Sequence, residues 1–416
     1  MPVLNVTARP RLISQRSLKV AFALLLACGT PASGFLQSTA PQERPRRVGA
    51  APQIAPPSKP SATPRKTAAG EEVGEDDVVR VDTQLVSVPA VVTDRTGKPL
   101  TNLRADNFTI LEDGQPQKIA NFATTEAPFE VALLLDTSGS TRAEVGLIRR
   151  AAQSFVEALR PGDRVAVVAF NTAQEGADKL AAVELKSPLT DDREELRAAI
   201  EGIGASNGTP FYDGLERVAK EIFRDPPREE LRGRRAMVAL TDGVDSTSEA
   251  DYAEVRARLK RAGVLSYFIQ VNTEDFVEDR LIGDCRDDGA LRLSRAQLER
   301  YRRIFASGAD AADYGNFCRL GPFERMHISR TLYTLARQEM NDLARDSGGK
   351  TFPIADLHDA RRAFQQVADE IGTQYSIGYY PTNKARDGGF RVIRVQVRGI
   401  KDAQVRAREG YQAPKG

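Results

Sequence analysis

The run Val131-Ala132-Leu133-Leu134-Leu135, followed at once by Asp136-Thr137-Ser138-Gly139-Ser140, limits the fold more than any other stretch. A short, uninterrupted apolar run suits a strand buried on both faces. Such strands belong to parallel sheets covered by helices. This one ends in a carboxylate and hydroxyls, so Asp136, Ser138 and Ser140 bring three oxygens to one edge of the sheet. Hard divalent cations take oxygen ligands of this kind, and Mg²⁺ is usually held by a few protein oxygens plus waters. Taken alone, the same residues also suit a capped turn, because Asp, Ser and Thr bond to nearby backbone groups.

Two further segments repeat the theme. The second apolar run, Ala236-Met237-Val238-Ala239-Leu240, ends in Thr241-Asp242-Gly243, and Gly208-Thr209-Pro210 opens an expected helix at Phe211–Phe223. In this order, the three segments resemble the metal-ion-dependent adhesion site of von Willebrand factor type A (VWFA) domains. The resemblance implies that Thr209 and Asp242 join Asp136, Ser138 and Ser140 in one metal site. It also implies a doubly wound, mostly parallel α/β sheet, with ligands bound outside the carboxyl ends of the strands. Two carboxylates and three hydroxyls leave a cation with an incomplete shell that favours one more anionic oxygen. In the family that oxygen typically comes from a Glu or Asp of a partner protein. The expected cofactor is therefore a divalent cation, Mg²⁺ first, with Mn²⁺ and Ca²⁺ as alternatives. Gly139 and Gly243 allow tight turns, and Gly208 relieves crowding near the site.

Composition narrows the function further. Lys and Arg number 59 against 57 Asp and Glu, a net charge of +2, which gives no electrostatic footprint for nucleic acid. The chain has no Trp and 6% aromatic residues, a poor basis for base stacking. His327 and His358 stand far apart and no Cys-x-x-Cys pair exists, so a zinc site is not expected. No Gly-x-Ser-x-Gly elbow is present, and neither Ser138 nor Ser140 has a histidine base in view. Phosphoryl transfer through Asp136 would want a second carboxylate two residues on, where Ser138 stands. The chain thus reads as a binding protein, not an enzyme, with no small-molecule substrate. The alternative is a structural or assembly factor of the cell envelope in which the metal only stabilises the fold.

At 416 residues the chain can hold two or three domains. Residues 1–34 read as an export signal, with Arg9, Arg11, Arg16 and Lys19 before the short apolar core Val20–Ala27. Leu25-Leu26-Ala27-Cys28 resembles a lipoprotein processing box with an imperfect fit at Leu26, so Cys28 is either a lipid anchor or removed with the signal. Either way the expectation is an exported protein: periplasmic, on the cell surface or secreted, and membrane-bound only through such an anchor. Residues 35–78 form a proline-rich linker that cannot build a core. Residues 79–127 carry strand and turn signals, with Pro89 suggesting an edge or a bulge, and residues 374–416 carry more strands. The two flanks are expected to form one β-sandwich beside a central domain at 128–373. Within that domain, residues 272–330 form an insertion between a strand and the last helices. Its one expected helix is Arg295–Ala306, and the next is expected near Leu332–Asp346. The insertion also holds Cys285 and Cys318, which export permits to form a disulfide, the alternative being two buried thiols. From Val81-Asp82-Thr83-Gln84-Leu85-Val86 to Ile377-Gly378-Tyr379-Tyr380-Pro381 and Val405–Pro414, the layout resembles exported VWFA-related proteins abundant in acidobacteria. That resemblance covers roughly residues 80–414.

Overall fold

The two apolar runs become neighbouring strands at the centre of one sheet. In the computed structural model, which describes residues 85–124, 128–139, 141, 144–175, 178–225, 234–282 and 293–416, the chain opens with β1 (Val86–Thr93), β2 (Phe108–Glu112), β3 (Gln115–Gln117) and β4 (Ile119–Ala123). The central domain follows with β5 (Glu130–Leu135), α1 (Val145–Ala158), β6 (Arg164–Glu175), β7 (Asp178–Thr190), α2 (Arg193–Glu201), α3 (Phe211–Arg217) and β8 (Arg235–Thr241). Then come α4 (Tyr252–Ala262), β9 (Leu265–Val271), α5 (Glu274–Leu281), α6 (Arg295–Phe305), α7 (Pro322–Ser347), β10 (Lys350–Ile354) and α8 (Ala360–Gly372). The chain ends in β11 (Tyr375–Tyr379), β12 (Phe390–Val397), β13 (Gln404–Ala407) and β14 (Gly410–Gln412).

The central sheet has the order β10-β9-β8-β5-β6-β7. All its pairings are parallel except that of β7, which runs antiparallel to β6. Every residue of β5 and β8 is buried. Alternation then divides β5 between two cores: Val131, Leu133 and Leu135 pack with α1, α2 and α8, while Ala132 and Leu134 pack with α3, α4 and α7. The strand order reverses between β5 and β8, and such a switch point opens a crevice at the carboxyl ends of the strands.

The flanks form two four-stranded antiparallel sheets, β13-β1-β11-β4 and β14-β12-β2-β3. Each draws two strands from either end of the chain, and both contribute to a core of Val88, Ala90, Ile110, Ile377, Tyr379 and Ile393. Asp113 and Gly114 both take positive φ in the two-residue turn between β2 and β3, as a primed hairpin turn requires. Pro89 lies on an inner strand, not on an edge. It faces Ser376 of β11, and pairing with β13 begins only at Ala90, so its missing N–H interrupts no bond on that side.

The insertion differs from expectation. It is mostly helix where described, with α5 and α6, and α7 begins at Pro322 rather than near Leu332. Leu281, Leu293, Leu298, Tyr301 and Leu320 join Ile328 and Leu332 of α7 in a separate apolar cluster. The antiparallel edge strand β7 extends over Asp178–Thr190.

Candidate metal site

Pairing β5 with β8 in register, Leu135 opposite Leu240, sets Asp136 and Asp242 at the same edge of the sheet. Both are almost fully buried, at 1% and 4% exposure, with Ser138 at 2% and Thr209 at 7%. The Asp136 carboxylate accepts the Ser138 N–H at 2.9 Å and the Thr241 hydroxyl at 2.6 Å. Asp242 accepts the Val244 N–H at 3.0 Å and the Thr273 hydroxyl at 2.6 Å. The Thr273 hydroxyl also lies 2.7 Å from that of Tyr333. A second layer of hydroxyls therefore fixes both carboxylates, as outer partners commonly orient metal ligands. Ser140 lies outside the described residues.

Thr209 reaches the site through a loop held from two directions. Its N–H donates to the Ser246 hydroxyl at 2.8 Å, and its carbonyl accepts the Ser246 N–H at 3.0 Å. The Ser206 N–H donates to the Thr137 carbonyl at 2.8 Å, tying this loop to the one after β5. A Cβ on Gly208 would sit 2.8 Å from Thr247 Cγ2, so the crowding expected there is real. Asp245, three residues after Asp242, turns away to cap α3: it accepts the N–H groups of Phe211 and Tyr212 at 2.9 and 3.2 Å. Pro210, not Thr209, precedes the first turn of α3.

The donor set suits a hard divalent cation. Burial, then repulsion by Asp242, pushes the Asp136 carboxyl up to about 7. Two adjacent buried carboxylates need a positive charge between them to ionise together. The Ser138 hydroxyl is buried beside the Asp136 carboxylate, whose raised pKa it partly offsets by hydrogen bonding. Among the described residues no group of three or more His, Cys, Asp or Glu side chains that could hold a metal occurs, and the oxygens gathered here are those of Asp136, Asp242, Ser138 and Thr209.

Residues 130–292 match the family model of the von Willebrand factor type A domain. The chain carries a type A domain. Solved structures similar to it include a von Willebrand factor type A protein from Catenulispora acidiphila, at 12% identity over 80% of this chain and 75% of that one, TM-score 0.36. Proximal thread matrix protein 1 from the mussel byssus is 12% identical over 58% of this chain, TM-score 0.34, and the match spans 48% of the mussel protein, about half its length. The SpRpn10 VWA domain is 15% identical over 35% of this chain and 76% of its own, TM-score 0.28. No curated protein matches the sequence. The family match stops within the insertion, so α6, α7, β10 and α8 of the type A domain lie beyond it.

The insertion contributes to the surroundings of the site: one cleft of about 510 Å³ is lined by Ser138, Thr209 and Asp242 together with Val277, Leu298 and Phe317. Cys318 lines the same cleft and is disulfide-bonded, while Cys285 and Cys28 lie outside the described residues. Sequence reasoning missed Thr241, Thr273, Tyr333 and Ser246 as supports of the site. Only the hydroxyl-rich stretch Asp245-Ser246-Thr247-Ser248 offered a local signal for any of them.

Proposed function

We propose that this chain is an adhesion-type binding module, not an enzyme, that recognises a protein partner through a divalent cation. Asp136, Ser138, Ser140, Thr209 and Asp242 would hold Mg²⁺, with Mn²⁺ and Ca²⁺ as alternatives. When bound, the cation supplies a coordination position for an Asp or Glu carboxylate of the partner. The chain's own residues orient the ligands and exclude water: Thr241 and Thr273 fix the two carboxylates from behind. The observation that carries this reading is the pair of buried carboxylates, Asp136 and Asp242, close enough to repel each other beside the buried Ser138 hydroxyl. The type A domain supports it, since such domains often act as metal-dependent protein-interaction modules.

The basic and apolar leader supports export to the periplasm, the cell surface or the medium, with Cys28 as a lipid anchor if the leader is processed there. The strand sequences at both flanks support kinship with exported VWFA-related proteins of acidobacteria. Nucleic acid and small-molecule substrates have no place in this reading. An array of immobilised random peptides tests it. Binding should need Mg²⁺, favour peptides with Asp or Glu over their Asn or Gln counterparts, and disappear in Asp242→Asn. Binding that is indifferent to EDTA and to the acidic residue would overturn it.

A further inference from the structure

The hydroxyl that fixes Asp242 is itself held from a helix far along the chain. We infer that Tyr333 of α7 is a positioning residue for Asp242, acting through Thr273, and that cation binding is thereby coupled to the packing of α5, α6 and α7. This inference rests on the metal site proposed above and adds what sets its affinity and what its occupancy does to the insertion.

The chain of hydroxyls runs in one direction. An ionised carboxylate can only accept, so the single Thr273 proton goes to Asp242 at 2.6 Å. The Tyr333 hydroxyl, 2.7 Å from that of Thr273, must then supply its own proton. A hydroxyl that accepts one hydrogen bond donates the next more strongly. Tyr333 is 5% exposed and Thr273 7%, so bulk water does not take their place. The other Asp242 oxygen accepts the Val244 N–H at 3.0 Å, so each oxygen has its own fixed donor.

The location of Thr273 points the same way. It stands just before the first turn of α5, where a threonine side chain usually accepts a backbone N–H of the helix. Here it makes no such cap. Its hydroxyl serves Asp242 and Tyr333 instead, which is what a role toward the site requires and a role in starting α5 does not.

A second tie reaches Thr209 from the same body. The Ser294 hydroxyl accepts the Gln297 N–H at 3.1 Å, capping α6, and donates to the Ser246 carbonyl at 2.7 Å. Ser246 holds Thr209 through both its hydroxyl and its N–H. Tyr333 packs in one apolar cluster with Leu281, Leu298 and Ile328, and Arg300 of α6 pairs with Glu339 of α7 at 2.6 Å. A shift of α6 or α7 therefore moves Asp242 and Thr209 together. Such coupling is reciprocal, so what fixes these two residues also fixes the helices behind them.

The test uses the full chain, by titration calorimetry of Mg²⁺ well below the melting temperature of each variant. Outer partners of metal ligands contribute about 10–100-fold to affinity, so Thr273→Val should bind at least about tenfold more weakly. Tyr333→Phe removes one hydrogen bond and should bind about three- to tenfold more weakly. Thr273→Ser keeps the hydroxyl and should bind as wild type does, which a merely structural role for the threonine methyl would not give. Amide exchange reads the reciprocal effect: saturating Mg²⁺ should slow exchange in Glu274–Leu281 and Arg295–Phe305 of the wild type, and less so in Tyr333→Phe. Wild-type affinity in both Tyr333→Phe and Thr273→Val would overturn the inference while leaving the metal site intact. Exchange in those helices that ignores Mg²⁺ in a wild type that binds it would overturn the coupling likewise. If the wild type takes up no Mg²⁺, the underlying reading fails and this one falls with it.

Discussion

Burial and Asp242 both oppose a negative charge on Asp136, and its carboxyl is pushed from 3.8 up to about 7. An acid whose folded pKa lies above its unfolded value gives the folded state the extra proton between the two. Its contribution to stability is therefore lost as pH rises through that window. In EDTA, scanning calorimetry should show the melting temperature falling between about pH 4 and pH 7 and levelling off above it. Asp136→Asn should flatten that slope and melt higher than wild type at the upper end. With metal present the sign reverses, because a cation competes with the proton. Mg²⁺ affinity should rise up to about tenfold per pH unit below 7 and level off above it, which titrations at several pH values would show. Asp136 and Asp242 were legible because each ends an apolar run. Thr241 was in plain view within Thr241-Asp242-Gly243, but its bond to Asp136 depends on the register of β5 on β8. Thr273 reaches Asp242 from 31 positions later, and Tyr333 meets the Thr273 hydroxyl from 91 positions after Asp242; no local pattern announces either.

At the scale of elements, α7 shows where sequence patterning runs out. It spans 26 residues, and its first turns pack on the insertion while its later turns pack on the sheet. The apolar stripe changes partners midway, so Ile328 and Leu332 do not continue a single periodic face. The same helix is held by Glu339, whose carboxylate meets Arg300 and Tyr212 in a largely buried cluster. Glu339→Ala would leave Arg300 without its partner and should cost about 3 kcal/mol in urea unfolding. Amide exchange in Arg295–Phe305 should rise with it; unchanged exchange there would mean that α6 is held by apolar packing alone. The end of α7 is equally exacting. Gly348 adopts φ +84°, and the Gly349 N–H donates to the Ala344 carbonyl at 2.9 Å, which closes the helix. A Cβ on Gly349 would stand 2.0 Å from the Ser266 carbonyl oxygen of β9, and backbone cannot yield there. Gly349→Ala should therefore remove at least about 3 kcal/mol or prevent folding; near-wild-type stability would show that the strand junction can shift.

Over the whole molecule, the chain leaves the β-sandwich at β4 and re-enters it at β11, so the central domain is inserted between two halves of another core. The doubly wound sheet and the sandwich drawn from both flanks could be read from apolar runs, alternation and turn residues, since each is written in local periodicity. The helical character of the insertion and its part in lining the cleft could not. They depend on the separate cluster around Leu298 and Ile328, which only forms when distant segments meet. The two parts are tied where Arg406 of β13 donates to the Gly349 carbonyl at 2.8 Å and pairs with Glu370 of α8. Ending the chain after Gln374 would remove two strands from each sandwich sheet and expose Val88, Ala90 and Ile110. That truncation should aggregate or lose the antiparallel part of its circular dichroism, whereas a soluble, native-like product would mean that β1–β4 fold alone. The claim on which the functional account depends is that Asp136, Ser138 and Asp242 converge to hold a divalent cation. Titration calorimetry of Mg²⁺ into the full chain, beside Asp136→Ala, tests it most directly. The account predicts saturable one-site binding in the wild type and none in the variant at unchanged circular dichroism. Equal binding in both proteins, or no binding of Mg²⁺, Mn²⁺ or Ca²⁺ by either, would contradict it.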